Sequence, residues 1–90
     1  MKRYMFIFKG QVQGVGFRCA CQMFAMKNSL TGYARNLFNG DVEAVFQGDE
    51  DTILRKFTDI YSNSRWIEVE DYAVKEIAVV EGEKNFKITY

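Results

Sequence analysis

The 90-residue chain is long enough for one domain, and 48% hydrophobic and 16% aromatic residues exclude a disordered segment. Twelve basic and twelve acidic residues cancel to a formal charge of zero, which removes the global electrostatic case for nucleic acid or an anionic membrane as partner. Any anion site must therefore be local. No apolar run approaches the roughly 18 residues that span a bilayer. The opening MKRYMFIFKG has a basic flank, but its apolar run stops at Phe8 before Lys9, with no small-residue cleavage site. It reads as a first strand, and the protein as cytoplasmic. Within residues 3–9, Tyr4, Phe6 and Phe8 alternate with Met5 and Ile7, and Gly10 closes the run.

Residues 18–28 lack Gly and Pro, and Phe17, Ala20, Cys21, Phe24 and Ala25 recur at helical spacing. Cys19 and Cys21 stand about 200° apart on such a helix, so they are read as reduced thiols that do not pair, with Cys21 in the core. The chain has no histidine, which rules out a Cys/His zinc site, and two thiols alone make a poor metal cage. Two strands follow at about 32–38 and 41–47, joined through Asn39-Gly40, a strong hairpin signal. Residues 50–61 place Ile53, Leu54, Phe57, Ile60 and Tyr61 on one helical stripe, with Asp49 as N-cap. β-rich material at about 69–80 and a last strand at about 84–89 complete the chain. The order β-α-β-β-α-β predicts an α+β ferredoxin-like sandwich: a four-stranded antiparallel sheet with two helices on one face.

Between the first strand and first helix lies GQVQGVGFR, residues 10–18. A helix N-terminus offers unpaired N–H groups and partial positive charge, and Gly14 and Gly16 allow those groups to converge on one point. Arg18 adds a planar donor fork suited to phosphate oxygens, although its charge opposes the helix dipole unless an anion lies between them. The segment is thus either a plain turn or a phosphate or carboxylate cradle. It is neither a Walker loop, because no Gly-Lys-Ser/Thr follows, nor a dinucleotide fingerprint. On the following strand Asn36 shares a face with Gly32 and Ala34; its amide could orient a water or merely satisfy a strand end.

GQVQGVGFR resembles, position for position, the first acylphosphatase signature, Gly-x-Val-Gln-Gly-Val-x-Phe-Arg. GYARNLFNGDVEAVFQG at 32–48 resembles the second, with Asn36, Gly40, Val42 and Gly48 at the family spacing. The resemblance implies a single acylphosphatase-like domain over residues 1–90. It implies metal-independent hydrolysis of the carboxyl-phosphate bond of acyl phosphates, with no metal or organic cofactor. Arg18 and Asn36 take the catalytic positions. The backbone of Gln13, Gly14, Val15, Gly16, Phe17 and Arg18 becomes the substrate-binding loop, and Asn36 the water-positioning residue. Inorganic phosphate is then product or inhibitor, and the expected protein is a cytoplasmic monomer without nucleic-acid or membrane partners. Many relatives carry a hydroxyl residue after the asparagine, where Leu37 stands here.

The residue types suit that chemistry. A carboxylate is already a good leaving group, and with no histidine and no carboxylate pair by the loop, positioning and charge stabilisation must dominate. Cys19 follows Arg18 rather than opening the loop, so it is read as a surface or packing residue and not as a nucleophile. Two other classes compete: a phosphate-binding module on the same fold, like the domain of larger hydrogenase-maturation proteins, and an RNA-recognition motif. The latter shares the element order, but DVEAVFQG lacks its Lys/Arg-Gly-aromatic pattern.

Overall fold

The computed structural model describes residues Met1 to Tyr90. It contains β1 (Lys2–Gln11), α1 (Phe17–Lys27), β2 (Thr31–Asn36), β3 (Val42–Gly48), α2 (Glu50–Lys56), β4 (Glu68–Ile77) and β5 (Phe86–Ile88). The four longer strands pair antiparallel in the order β4-β1-β3-β2, as the ferredoxin-like reading requires. The expected four-stranded antiparallel sheet needs correction. A fifth strand, β5, adds to the outer edge of β2 and runs parallel to it, pairing Gly32 with Phe86 and Ala34 with Ile88. The sheet is therefore mixed. The segment expected at 84–89 is this edge strand, and the fourth strand is wholly formed by Glu68–Ile77.

The alternation of β1 buries Tyr4, Phe6 and Phe8 on one side of the sheet, where α1 contributes Phe17, Cys21, Phe24 and Ala25. Each fully buried phenylalanine removes roughly 2–3 kcal/mol worth of apolar surface from water. Phe17 is fixed edge-on to Phe8, with ring centroids 5.0 Å apart, so the first residue of α1 is anchored directly to the inner strand β1. As expected, Cys21 is buried and Cys19 exposed; burial pushes the Cys21 thiol well above its ordinary range.

The second helical segment departs from its expected uniform course. It is α-helical to Lys56 and then tightens into a 3-10 turn over Phe57–Ile60. Ile53, Phe57 and Ile60 are buried, the i, i+4, i+7 face of the segment, while Leu54, about 100° round from Ile53, is left exposed. Asp49 caps the helix as the sequence predicts, accepting from the Thr52 N–H at 3.0 Å.

Both faces of β3 are buried, although its sequence reads as a strand with one polar face. At one end the Tyr33 hydroxyl and the Arg35 guanidinium bond the Glu43 carboxylate. At the Gln47 end the cover is the connection between β4 and β5, which lie at opposite edges, so residues 78–85 must cross the sheet. They cross the face away from the helices. There the Gln47 carboxamide grips the Val80 backbone, donating to its carbonyl at 2.9 Å and accepting from its N–H at 2.8 Å. Arg3 donates to Gln47 at 3.0 Å and to both carboxylate oxygens of Glu83, at 2.8 and 3.3 Å. Burial pushes the Glu83 carboxyl up, but bonds from Arg3 and Thr31 and the Arg3 charge outweigh it and hold the group below the usual carboxylate range. No helix is long and apolar enough to cross a membrane.

Candidate active site

Between β1 and α1 the chain makes a turn over residues 13–16, then enters the helix. The three glycines of GQVQGVGFR do different work. A Cβ on Gly10 would lie 2.2 Å from the Glu68 carbonyl oxygen, at the point where the β1–β4 register shifts. That glycine serves close strand packing. Gly14 and Gly16 have φ of 74° and 80°, and a Cβ at either would meet nothing within 4 Å. Their backbone curls in the left-handed region with open space in front of it, which suits close approach of a ligand to the main chain.

The two helix starts contrast sharply. α2 has Asp49 as cap and Glu50 and Asp51 in its first turn. α1 has Gly16 at the cap position, no capping side chain and no acid in its first turn. The amides from Gly14 to Cys19 donate to no other backbone group. A cap of the Asp49 kind is worth about 1 kcal/mol, and α1 forgoes it while placing Arg18 where the dipole disfavours a cation. Both features complement an anion held in front of the turn.

Arg18, Asn36, Gly14, Gly16 and Phe17 line one cavity of about 160 Å³, together with Val12, Cys19, Ile88 and Tyr90. Gln13 and Val15, the other loop residues singled out from the sequence, do not present their side chains there. Gln13 turns toward the β2–β3 hairpin, donating through Nε2 to the carbonyls of Leu37 at 2.7 Å and Asp41 at 2.8 Å. Val15 packs against the core, and the Phe17 ring is buried in it, so these residues could serve a ligand through their N–H groups only.

Asn36 ends β2 on the helix-covered face, the side occupied by buried Gly32 and Ala34, as its alternation predicts. Its Oδ1 is buried with no hydrogen-bond partner in the protein. An unpaired buried acceptor costs on the order of 1–3 kcal/mol, so its retention on a residue that lines a cavity points to a donor brought in by something other than the protein, such as a water hydrogen.

Arg18 is held by the end of the segment expected as the last strand, which the sequence did not connect with the site. Its Nη1 donates to the Thr89 carbonyl at 3.0 Å, and its guanidinium carbon stands 4.9 Å from the centroid of the Tyr90 ring. Thr89 is placed by its own N–H, which donates to the Ala34 carbonyl at 2.9 Å. The two residues that directly follow the parallel edge strand β5 thus support the arginine. A backbone carbonyl leaves no mark in a sequence; the terminal aromatic Tyr90 was the only signal available. The hairpin also differs in detail from expectation. Gly40 alone takes a left-handed φ, of 96°, while Asn39 acts through its side chain, accepting from the Asp41 N–H at 3.0 Å.

Comparison with known proteins adds an independent line. A family model described as Acylphosphatase matches residues 4–88. The chain is 43% identical over 90 residues to an acylphosphatase of Clostridium beijerinckii, covering 100% of both chains. The fold is similar to the crystal structure of acylphosphatase from Bacillus subtilis, with a TM-score of 0.90, 37% identity and 100% of each chain covered. It is also similar to part of full-length HypF in a phosphate- and nucleotide-bound form, with a TM-score of 0.81 and 27% identity, covering 99% of this chain and 12% of that one.

Proposed function

This chain belongs to the acylphosphatase family, whose members hydrolyse acyl phosphates, and we propose that its Gln13–Arg18 loop holds the phosphoryl group while Asn36 orients the attacking water. One observation carries the proposal: the free amides of the loop, the Arg18 guanidinium and the unpaired Asn36 Oδ1 all belong to one cavity.

In this reading the amides from Gly14 onward and the donors of Arg18 not used by Thr89 surround the phosphoryl oxygens. Arg18 presents five N–H donors, so the bond to Thr89 leaves several for substrate. Asn36 Oδ1 accepts a hydrogen from the water and points its oxygen at phosphorus, opposite the acyl oxygen. The water O–P bond forms as the P–O bond to the carboxyl group breaks, and the electron pair leaves with the carboxylate. The water proton passes to a phosphoryl oxygen, giving carboxylate and inorganic phosphate. Donors fixed in place before the reaction begins stabilise charge as it redistributes, without reorganisation during the step. The chemistry needs neither metal nor organic cofactor.

The same reading takes residues 1–90 as one catalytic domain acting on small-molecule acyl phosphates, with inorganic phosphate as product and competitive inhibitor. Charged residues along the outer strand β4, including Glu68, Glu70, Asp71 and Lys75, oppose edge-to-edge pairing and support a monomer. An exposed Cys19 thiol beside buried Cys21, without a disulfide, supports a cytoplasmic setting.

The test is hydrolysis of benzoyl phosphate in the presence of a chelator, beside an ordinary phosphate monoester. Turnover of the acyl phosphate alone is expected. Activity confined to the monoester would overturn the reading, and phosphate binding without any turnover would identify a binding module instead.

A further inference from the structure

One side chain hydrogen-bonds the loop directly to the hairpin turn that follows Asn36. Gln13 Nε2 donates to Leu37 O at 2.7 Å and to Asp41 O at 2.8 Å, and no other hydrogen bond joins residues 13–18 to residues 36–41. Both partners are carbonyls, which only accept, so the group facing them is the NH2 end of the carboxamide and both of its hydrogens are used. From this geometry we infer that Gln13 is a positioning residue: its side chain brackets the phosphate loop to the neck of the hairpin and so sets Asn36 relative to the loop amides. The inference rests on the proposed roles of the loop and of Asn36.

The bracket closes on the right two points. The Asp41 carbonyl also accepts from Leu37 N–H at 2.9 Å, and the Leu37 carbonyl from Gly40 N–H at 3.2 Å. Gln13 therefore grips both arms of the turn at the residue that directly follows Asn36. The hairpin side is itself stiff. The Asp41 carboxylate binds Lys9 of β1 at 2.9 Å and the Asn39 amide at 3.1 Å. The loop side has less to hold it, because Gly14 and Gly16 permit other backbone conformations and between them only Val15 packs against the core. With Phe17 locked against Phe8, the helix end of the loop is fixed by packing, and Gln13 supplies the fixing at the other end. Binding of phosphate draws mainly on Arg18 and the helix-end amides; in-line attack also demands the correct span from phosphorus to the water on Asn36.

The experiment measures kcat and the inhibition constant for inorganic phosphate in Gln13→Ala, Gln13→Glu and Asn36→Ala. For folded Gln13→Ala, kcat is expected to fall about 10–100-fold, while the phosphate constant stays within about threefold of wild type. Gln13→Glu preserves the size but aims a carboxylate at two carbonyls, so it is expected to be no better than Gln13→Ala. Should Gln13→Ala fail to fold, Gln13→Met, of similar length and without donors, carries the same expectation. An unchanged kcat, an equal loss of kcat and phosphate affinity, or a Gln13→Glu more active than Gln13→Ala would each overturn the bracket. Full activity in Asn36→Ala would instead overturn the underlying reading of the site, a failure that the Gln13 variants alone do not produce.

Discussion

Arg18 places its guanidinium carbon over the Tyr90 ring, 4.9 Å from the centroid, and Tyr90 itself is exposed. A ring at that distance attracts the arginine charge without using any of its N–H donors, of which Nη1 alone is engaged, by Thr89. The contact falls in the range of about 0.5–1 kcal/mol for exposed cation–π pairs. Tyr90→Ala is therefore expected to weaken inhibition by phosphate by about two- to fivefold, with Tyr90→Phe close to wild type. Titration of initial rates with inorganic phosphate checks this; a Tyr90→Ala protein with unchanged phosphate inhibition would remove the ring from the site.

The cap on α2 is remote from that cavity and stabilises the fold alone. Asp49 accepts from both the N–H and the hydroxyl of Thr52, at 3.0 and 2.8 Å. These two bonds also hold its carboxyl below the usual carboxylate range. Asp49→Ala should cost about 1 kcal/mol, read as a fall in Tm of roughly 4–8 °C for a domain of this size. Turnover at 25 °C should not change. A large loss of kcat at unchanged Tm would contradict this division between the two helix starts.

The crossing segment makes stability depend on acid pH. Glu83 is held below the ordinary carboxylate range by Arg3 and Thr31, against the upward push of burial. The native state therefore binds fewer protons than the unfolded chain there. The contribution is present above the ordinary carboxylate range and is lost as pH falls through the lowered native value. Glu83→Gln should be less stable than wild type at neutral pH, and the gap should narrow on acidification. Urea unfolding at neutral and acidic pH measures the gap; a constant difference would show that the Arg3 contact adds nothing linked to protonation.

Much of the site was legible because its chemistry is local in the chain. Gly14, Gly16 and Arg18 sit within five positions, and Asn36 follows from strand alternation through Gly32 and Ala34. The Asp49 cap and the hairpin at Gly40 were readable for the same reason. What escaped depends on long-range contacts. Nothing in EGEK shows that residues 78–85 will cross the open face, because the crossing is fixed by Gln47 and Arg3, which lie far back in the sequence. The same crossing covers Gln47, while Glu43 is bonded by the Tyr33 hydroxyl and the Arg35 guanidinium of β2. The short β5 could be seen as a strand, but its parallel pairing with β2, and the Thr89 carbonyl it delivers to Arg18, are backbone facts without a side-chain signature. Leu54 is expected on the buried stripe, but it lies at the stripe's edge, about 100° round the helix from Ile53, and is exposed.

The central claim divides labour between a cradle that binds and an amide that aims, and one comparison tests it. In Asn36→Ala and Arg18→Gln, kcat for benzoyl phosphate and the inhibition constant for inorganic phosphate are measured in the same assay. Asn36→Ala should lose about 100-fold or more in kcat with nearly unchanged phosphate inhibition, whereas Arg18→Gln should lose both. Wild-type turnover in the two variants, or phosphate inhibition lost in Asn36→Ala and kept in Arg18→Gln, would contradict the account.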